Sequence, residues 1–373
     1  MALTKYKIGS LIHLIDERND EGLSDFCGIN INKEFMPTVA ATNGLDASKY
    51  KVVRNSRFVY SGMQTGRDKC IRISMYLGNK PIIVSPAYIT FEISALKIIH
   101  PVYFFMLFLS KEKDRLGWFY SDGSIRSNLD WDRFCDIELN LPPLSIQQKY
   151  VDVYQALLAN QKNYEEGLDD LKLTCDAYIE ELRRKIPCQK IGPFLERHDV
   201  RNGKDGTTNV MGISTSKEFR QPTSKVDKKK LSNYKVVKPG QIGFVQTTHN
   251  EKVFAYAFNN TDKDIVISPV DEVFSTDEKV LLPEYLCMWF NRKEFDRYAR
   301  FHSWGSARET FTWNDLIQVQ IPIPDLKLQK SVTDIYKAYK SRKYINGSLK
   351  ERIKKICPIL IKGSLDEGER CRE

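Results

Sequence analysis

The chain lacks most of what would make it an enzyme, a metalloprotein or a membrane protein. Its eight cysteines (Cys27, Cys70, Cys135, Cys175, Cys188, Cys287, Cys357 and Cys371) stand singly, with no C-x-x-C pair. That spacing argues for reduced thiols in a cytosol and against a structural zinc. Only five histidines are present and none lies at ligand spacing from another, so no metal site is expected. The most apolar run, Val102 to Leu109, is far too short to span a bilayer and reads as a buried helix. Met1 to Ile15 carries no charged-then-apolar signal pattern. A cytoplasmic location and no membrane partner are therefore expected.

Catalytic signatures are missing too. There is no Walker A phosphate loop, no His-Glu-x-x-His and no Gly-x-Ser-x-Gly. A glycine-rich cofactor loop is lacking, and so is an Asn/Asp-Pro-Pro-aromatic motif of the kind that holds a flipped adenine. The nearest text, Asn140-Leu141-Pro142-Pro143-Leu144, has an intervening leucine and no aromatic. Asp277-Glu278-Lys279 is the sort of charged cluster that arises by chance, and its order suits a metal nuclease poorly. No enzymatic activity and no cofactor are expected of this chain on its own.

What remains is a globular composition with a basic balance. Apolar residues make up 42% of 373 positions, enough for two or three ordinary domains, and the formal net charge is +9. A charge of that sign favours anionic partners.

The strongest signal is an internal repeat. Ile8-Gly9-Ser10-Leu11 returns as Ile191-Gly192-Pro193-Phe194, and Lys33-Glu34-Phe35 as Lys217-Glu218-Phe219. Tyr50-Lys51-Val52-Val53 returns unchanged as Tyr234-Lys235-Val236-Val237. Further on, Gly123-Ser124-Ile125-Arg126 matches Gly305-Ser306-Ala307-Arg308, Trp131 matches Trp313, and Gln147 matches Gln329. Offsets stay between 182 and 185 throughout. The period is too long for a solenoid, so the chain is two homologous halves, each a globular domain followed by a helix.

The helices carry their own periodicity. In the first, Tyr154, Leu157, Gln161, Tyr164, Leu168, Leu171, Cys175, Tyr178 and Leu182 fall at alternating spacings of four and three. That is a heptad seam on one helix of roughly 38 residues, about 57 Å long. The second, with Tyr336, Tyr339, Asn346, Leu349, Ile353, Ile356 and Leu360, is interrupted by Arg342, Lys343 and Asn346, and Pro358 should bend or end it; the broken seam means either a shorter rod or a free C-terminal tail from Ser364. Antiparallel pairing of the two would place the globular halves at opposite ends of a rod. The fold expected is α+β: two homologous α/β domains (1–144 and 189–326) separated by two long helices (145–188 and 327–373, the latter with the tail) that form an antiparallel coiled coil.

The run Asn140-Leu141-Pro142-Pro143-Leu144-x-x-Gln147 entering a long helix, repeated as Ile321-Pro322-Ile323-Pro324-x-Leu326-x-x-Gln329, resembles the signature of Type I restriction–modification specificity subunits. Gly-Ser-x-Arg with a tryptophan five residues later, in each half, resembles that family as well, and the resemblance covers nearly the whole chain. It implies a non-catalytic subunit whose two target-recognition domains each read one half of a split DNA target, with the helices holding a fixed spacing. It also implies docking of two copies of an adenine methyltransferase subunit and, where present, of restriction subunits that carry the ATP-driven motor. DNA methylation and defence against foreign DNA would be the setting. A modification-only or Type IIB-like assembly would use such a chain alike, and a coiled-coil scaffold that touches DNA without reading it is the reading from another class.

Candidate DNA-binding residues follow from chemistry. Base edges and phosphates are reached by Arg, Lys, Gln, Asn, Thr and Ser. After the shared Tyr-Lys-Val-Val, the first half offers Arg54, Arg57, Gln64, Thr65, Arg67, Lys69 and Arg72, and the second Gln246, Thr247, Thr248, His249 and Asn250. Strands at Arg57 to Tyr60 and Ile242 to Val245 should lead into these loops. Ser124, Arg126, Ser306 and Arg308 of the repeated Gly-Ser-x-Arg are suited to phosphate or guanine. Lys228 and Lys230 lie in a basic run that could follow the backbone, although such runs are usually solvated faces. Phe104, Phe105, Phe108, Trp289 and Phe290 sit at helical spacing and read as core. Arg126→Ala should cost about 1–3 kcal/mol at one half-site if a bidentate base contact is lost. Unchanged DNA affinity and methylation pattern in that variant would sink the assignment.

Overall fold

The computed structural model describes residues 3–38, 44–203, 206–222, 228–247, 253–305 and 309–370. It divides into two units, Met1–Tyr164 with Ile345–Glu373, and Glu165–Tyr344.

The first unit is built from β1 (Thr4–Lys7), β2 (Ile12–Leu14), β3 (Phe26–Ile29), β4 (Phe35–Pro37), β5 (Lys51–Val53), β6 (Phe58–Ser61), β7 (Arg72–Met75), β8 (Ile82–Val84), β9 (Ile89–Ile93) and β10 (Glu138–Leu141). Its helices are α1 (Thr65–Asp68), α2 (Pro101–Leu107), α3 (Lys111–Tyr120), α4 (Trp131–Cys135) and α5 (Leu144–Glu165). It has two four-stranded sheets, β2-β9-β6-β7 and β4-β3-β8-β5, and a separate two-stranded pair, β1-β10. The apolar run read as a buried helix is α2, whose Val102, Tyr103, Phe104, Met106 and Leu107 are all buried. They close a core with Phe58, Phe91, Phe108 and Phe134, in which Phe58 stacks on Phe91 at 5.0 Å.

The second unit repeats this plan with α6 (Leu168–Lys185), β11 (Cys188–Lys190), β12 (Leu195–His198), β13 (Gly212–Ile213), β14 (Phe219–Arg220), β15 (Lys235–Val237), β16 (Ile242–Phe244), β17 (Tyr256–Phe258), β18 (Ile265–Ile267), β19 (Glu272–Thr276) and β20 (Gln320–Pro322). Its helices α7 (Pro283–Phe290), α8 (Lys293–Phe301) and α9 (Trp313–Leu316) match α2, α3 and α4, and α10 spans Leu326–Arg370. The sheet β12-β19-β16-β17 reproduces β2-β9-β6-β7 strand for strand, and β11-β20 reproduces β1-β10. The expected α+β architecture of two similar domains with long helices is what the chain has.

The repeated Pro-x-Leu-x-x-Gln text has a structural cause. Gln147 is fully buried; its Nε2 donates to the carbonyls of Ile98 and Pro142, both at 2.9 Å, and its Oε1 accepts from the His100 N–H at 2.9 Å. Gln329 does the same, donating to Val280 at 2.7 Å and Pro324 at 2.8 Å and accepting from Leu282 at 2.9 Å. Each buried amide satisfies three groups that would otherwise be orphaned where a strand gives way to a helix.

A second duplicated device is an ion pair. Lys33 and Lys217 sit in left-handed turns (φ 64° and 65°) that aim the side chain inward. Lys33 Nζ meets Asp114 Oδ1 at 2.7 Å with the lysine side chain 5% exposed; Lys217 meets Asp296 at 2.8 Å with its own 7% exposed. Each ammonium also donates to the carbonyl just beyond a helix or at its end, Phe108 or Phe290. Burial holds the Lys217 ammonium below the usual lysine range, with Asp296 opposing that.

The long helices depart from the sequence reading in three places. The first is not continuous: α5 stops at Glu165, Gly167 takes φ 75°, and α6 restarts at Leu168 with Asp169 and Asp170 in its first turn. A left-handed glycine ends a helix and acids favour the next N-terminus, so the sequence carries its own break. Pro358, by contrast, ends nothing. α10 runs through it to Arg370, and Ser364 is fully buried rather than the start of a tail. One missing backbone bond is outweighed by Ile353, Cys357 and Ile361, all buried in the first unit's core.

Within each unit the helices run antiparallel. In the first, Lys149 meets Glu367 at 2.9 Å and Gln161 meets Asn346 at 2.7 Å. In the second, Leu182 and Val332 share a core while Arg342 reaches the Glu166 carbonyl at 2.9 Å. Tyr154, Leu182 and Ile353 are buried, and Leu157, Tyr164, Leu168, Leu171, Tyr336, Tyr339 and Leu349 half-buried. Tyr178 and Ile356 do not belong to the seam: both are exposed, and their neighbours Ile179 and Cys357 are buried instead.

Removing one partner of a mostly buried ion pair leaves the other charge uncompensated. Lys33→Met is expected to destabilise the first unit by about 3–5 kcal/mol, and Lys217→Met the second. Urea unfolding checks this, and a loss below about 1 kcal/mol would show that the pair is not a structural anchor.

Candidate nucleic-acid interface

In the first unit β6 and β7 pair antiparallel, and the segment between them, Gly62 to Ile71, holds the polar loop. It is pinned against a second segment more than fifty residues away. The Gly66 N–H donates to the Ser127 carbonyl at 2.9 Å and the Leu129 N–H to Gly62 at 2.9 Å. A side chain at Gly62 would stand 2.0 Å from the Leu129 carbonyl, and one at Gly66 2.6 Å from Ser127 Cβ. Only glycine permits an approach this close. Between the contacts, Gln64 and Lys69 adopt left-handed backbone (φ 59° and 51°) at either end of α1, and Asn128 Oδ1 accepts from the Gln64 N–H at 3.1 Å.

The polar loop and the Gly-Ser-x-Arg segment therefore form one surface. Asp122 organises the latter: its carboxylate accepts from Ser124 Oγ at 2.6 Å, from the Ser124 N–H at 3.1 Å and from the Asn128 N–H at 3.0 Å. The Ser124 hydroxyl foremost holds the Asp122 carboxyl below the usual range. Ser124 thus shapes the loop. Arg126 and Arg67 are exposed and make no ion pair among the described residues, and the Lys69 ammonium lies 4.7 Å from the Trp118 ring centroid.

Other residues of the candidate set are occupied elsewhere. Arg54 is bound to Glu17 and Glu21, and Arg57, 11% exposed, to Glu17 and Glu92. Both precede β6, at the end of the hairpin away from the loop, which corrects the grouping made from sequence. Thr65 is fully buried and donates to the Gly62 carbonyl at 3.0 Å. Arg72 is committed to Asp68 and, at 3.3 Å, to Gln64 Oε1. These residues hold the loop's shape.

The second unit brings together the equivalent segments. β16 and β17 pair antiparallel, the Phe311 N–H donates to the Gln246 carbonyl at 2.8 Å, and Thr247 bridges to Thr310, which bridges to Trp304. The Gln246 amide turns inward and donates to Glu272 Oε1 at 2.9 Å. Glu272, 3% exposed, also accepts from Arg197 at 2.7 and 2.8 Å and lies 3.4 Å from Lys235 Nζ. Thr248, His249, Asn250, Ser306 and Arg308 lie outside the described residues, as do the side chains of Lys228 and Lys230.

Sequence reasoning passed over the apolar members of these surfaces. Trp118, Phe119 and Tyr120 are exposed at the end of α3 and Ile125 is fully exposed beside Arg126; Phe301 and Trp304 are exposed in the second unit. Their adjacency to the duplicated Gly-Ser-x-Arg was the available signal.

Beside Glu272 lies Asp271, 7% exposed. Burial pushes its carboxyl from 3.8 up to about 7, with Lys235 opposing and Glu272 adding to the shift. Between those values the folded chain holds a proton that the unfolded chain has released, so this group lowers stability as pH rises from about 4 to about 7. Asp271→Asn is expected to stabilise the protein more at pH 8 than at pH 4, as read by urea unfolding at the two values. Equal gains would show that charge burial at Asp271 carries no penalty.

No family model matches the chain, and no curated protein does. Among solved structures it is similar to the Type-I restriction-modification system S subunit from M. genitalium, with 10% identity and a TM-score of 0.64 over 97% of this chain and 96% of that one. It also aligns with the HsdS subunit from Thermoanaerobacter tengcongensis over 98% of its length, at 14% identity and a TM-score of 0.38, too low to carry weight. The chain has the fold of a Type I S subunit from end to end.

Proposed function

We propose that this chain is the DNA-sequence specificity subunit of a Type I restriction–modification complex. It acts in the cytoplasm as a non-catalytic reader: the domains at 1–144 and 189–326 each take one half of a bipartite double-stranded DNA target. It lends that choice to two copies of an adenine-N6 methyltransferase subunit and, where present, to restriction subunits. The segments 145–188 and 327–373 supply the helices.

The observation that carries this reading is the duplicated composite surface. In each unit a polar hairpin loop and a distant segment are pinned together on the same frame. The frames match while the surfaces differ: Trp118 stands where the second unit has Arg300, and Asp122 where it has Trp304. Two readers of one design with different side chains suit a target whose halves differ in sequence. Exposed apolar side chains on the helices, Leu173 at 69%, Tyr344 at 78% and Ile359 at 66%, are available to partner subunits.

The test is a genome-wide map of N6-methyladenine in a methylation-free host that expresses this chain with the methyltransferase gene beside its own. A bipartite methylated motif that needs both genes is expected. A soluble complex with an active methyltransferase but no motif would favour a scaffold that binds DNA without reading it.

A further inference from the structure

Nineteen phenylalanines are present, and seventeen of them are buried or half-buried. The two exposed ones are Phe119 at 79% and Phe301 at 83%. They are 182 residues apart, which is the offset that relates Gly123-Ser124 to Gly305-Ser306. Both stand in the last turn of equivalent helices, α3 and α8, four residues before the shared glycine. A single exposed phenylalanine needs no explanation, since much of any protein surface is apolar. That the two exposed positions are each other's repeat equivalents does need one, because packing has drawn in every other phenylalanine.

We infer that Phe119 and Phe301 are DNA contacts, one per unit, that press an aromatic ring on the apolar faces of the duplex irrespective of base sequence. The inference rests on the DNA-reading proposal above and adds the residues that do the job common to both half-sites. Their neighbours differ between the units: Trp118 against Arg300, and Asp122 against Trp304. Residues that differ suit discrimination, and a residue that recurs suits a contact every sequence offers, such as a sugar, a base face or a partly opened base step.

Charge favours nucleic acid as the occupant. Arg115 lines one cleft with Phe119, Trp118 and Glu112; it and the exposed Arg67 and Arg126 of the adjoining loops make no ion pair among the described residues, and Lys69 rests on the Trp118 ring. Beside Phe301, Arg300 is likewise exposed and without an ion pair among them. An aromatic ring among unneutralised cations matches a polyanion with apolar faces. Both rings also adjoin the surfaces already assigned to DNA.

The experiment uses the complex of the full chain with its methyltransferase, carrying Phe119→Ala, Phe301→Ala or Arg126→Ala, on a duplex with the methylated motif and on a random duplex. Each phenylalanine variant is expected to weaken binding to the motif duplex by roughly five- to a hundredfold. The slope of log affinity against log salt should stay unchanged, because no phosphate contact is lost, and the methylated motif should be the same. Arg126→Ala should instead lower that slope or relax the motif. Unchanged affinity in both phenylalanine variants would overturn the inference while leaving the reading of DNA intact. So would loss of the methyltransferase from the purified complex, which would give these rings to a protein partner. If the unaltered complex shows no preference for the motif, the specificity proposal fails, and the effect of Phe119→Ala on the random duplex still decides whether the ring touches DNA.

Discussion

A buried ammonium paired with a half-buried carboxylate fixes the frame of the polar loop in each unit. Asp114 Oδ1 takes the Lys33 ammonium at 2.7 Å and the Ile71 N–H at 3.0 Å. Asp296 takes Lys217 at 2.8 Å and the Phe254 N–H at 3.1 Å. Ile71 and Phe254 are the points at which the two polar loops return to their sheets. The same oxygen thus ties a hairpin turn, a helix and the far end of the loop. A charge withdrawn from water tolerates little displacement of its partner, because the loss of pairing costs far more than a surface contact would. Loops of different sequence can be hung on such a frame without moving its ends.

How much of this was legible follows from distance along the chain. The repeat, the two hairpins and the apolar run Val102 to Leu109 are local patterns, and the structure has them, the run forming α2. So is the Pro-x-Leu-x-x-Gln text, whose glutamines prove to be amide locks. Lys33 and Lys217 were visible as a recurrence, but their role depends on Asp114 and Asp296 about eighty residues away. Arg54 and Arg57 misled for the same reason. Composition marks them as free cations, and only the folded chain brings Glu17 and Glu92 to them.

The helices show the opposite failure, where a periodic signal overrode punctual ones. Heptad spacing reads straight across Gly167, so the periodic pattern hides the left-handed cap. Pro358 signals a break that does not occur, since a proline costs one turn's hydrogen bond locally while the core around Cys357 is assembled from residues remote in sequence. A seam displaced by one residue, from Tyr178 to Ile179 and from Ile356 to Cys357, is the scale of error that a 3.5-residue template makes on a 3.6-residue helix.

The distribution of charge decides what the formal +9 can do. Much of the basic complement is spent inside the units: Arg54, Arg57, Arg72, Arg197 and Lys235 each answer a carboxylate of their own domain. Those pairs add nothing to an external field and serve shape. The excess is left to side chains such as Arg67, Arg115, Arg126 and Arg300, which lie along the pinned loops and helix ends and carry no such partner among the described residues. Exposed cations without an ion pair among the described residues, beside each of two repeat-equivalent rings, are a feature that the bulk charge alone does not convey. Under the reading proposed above, they would draw a polyanion to the face of each unit on which the polar loop is pinned.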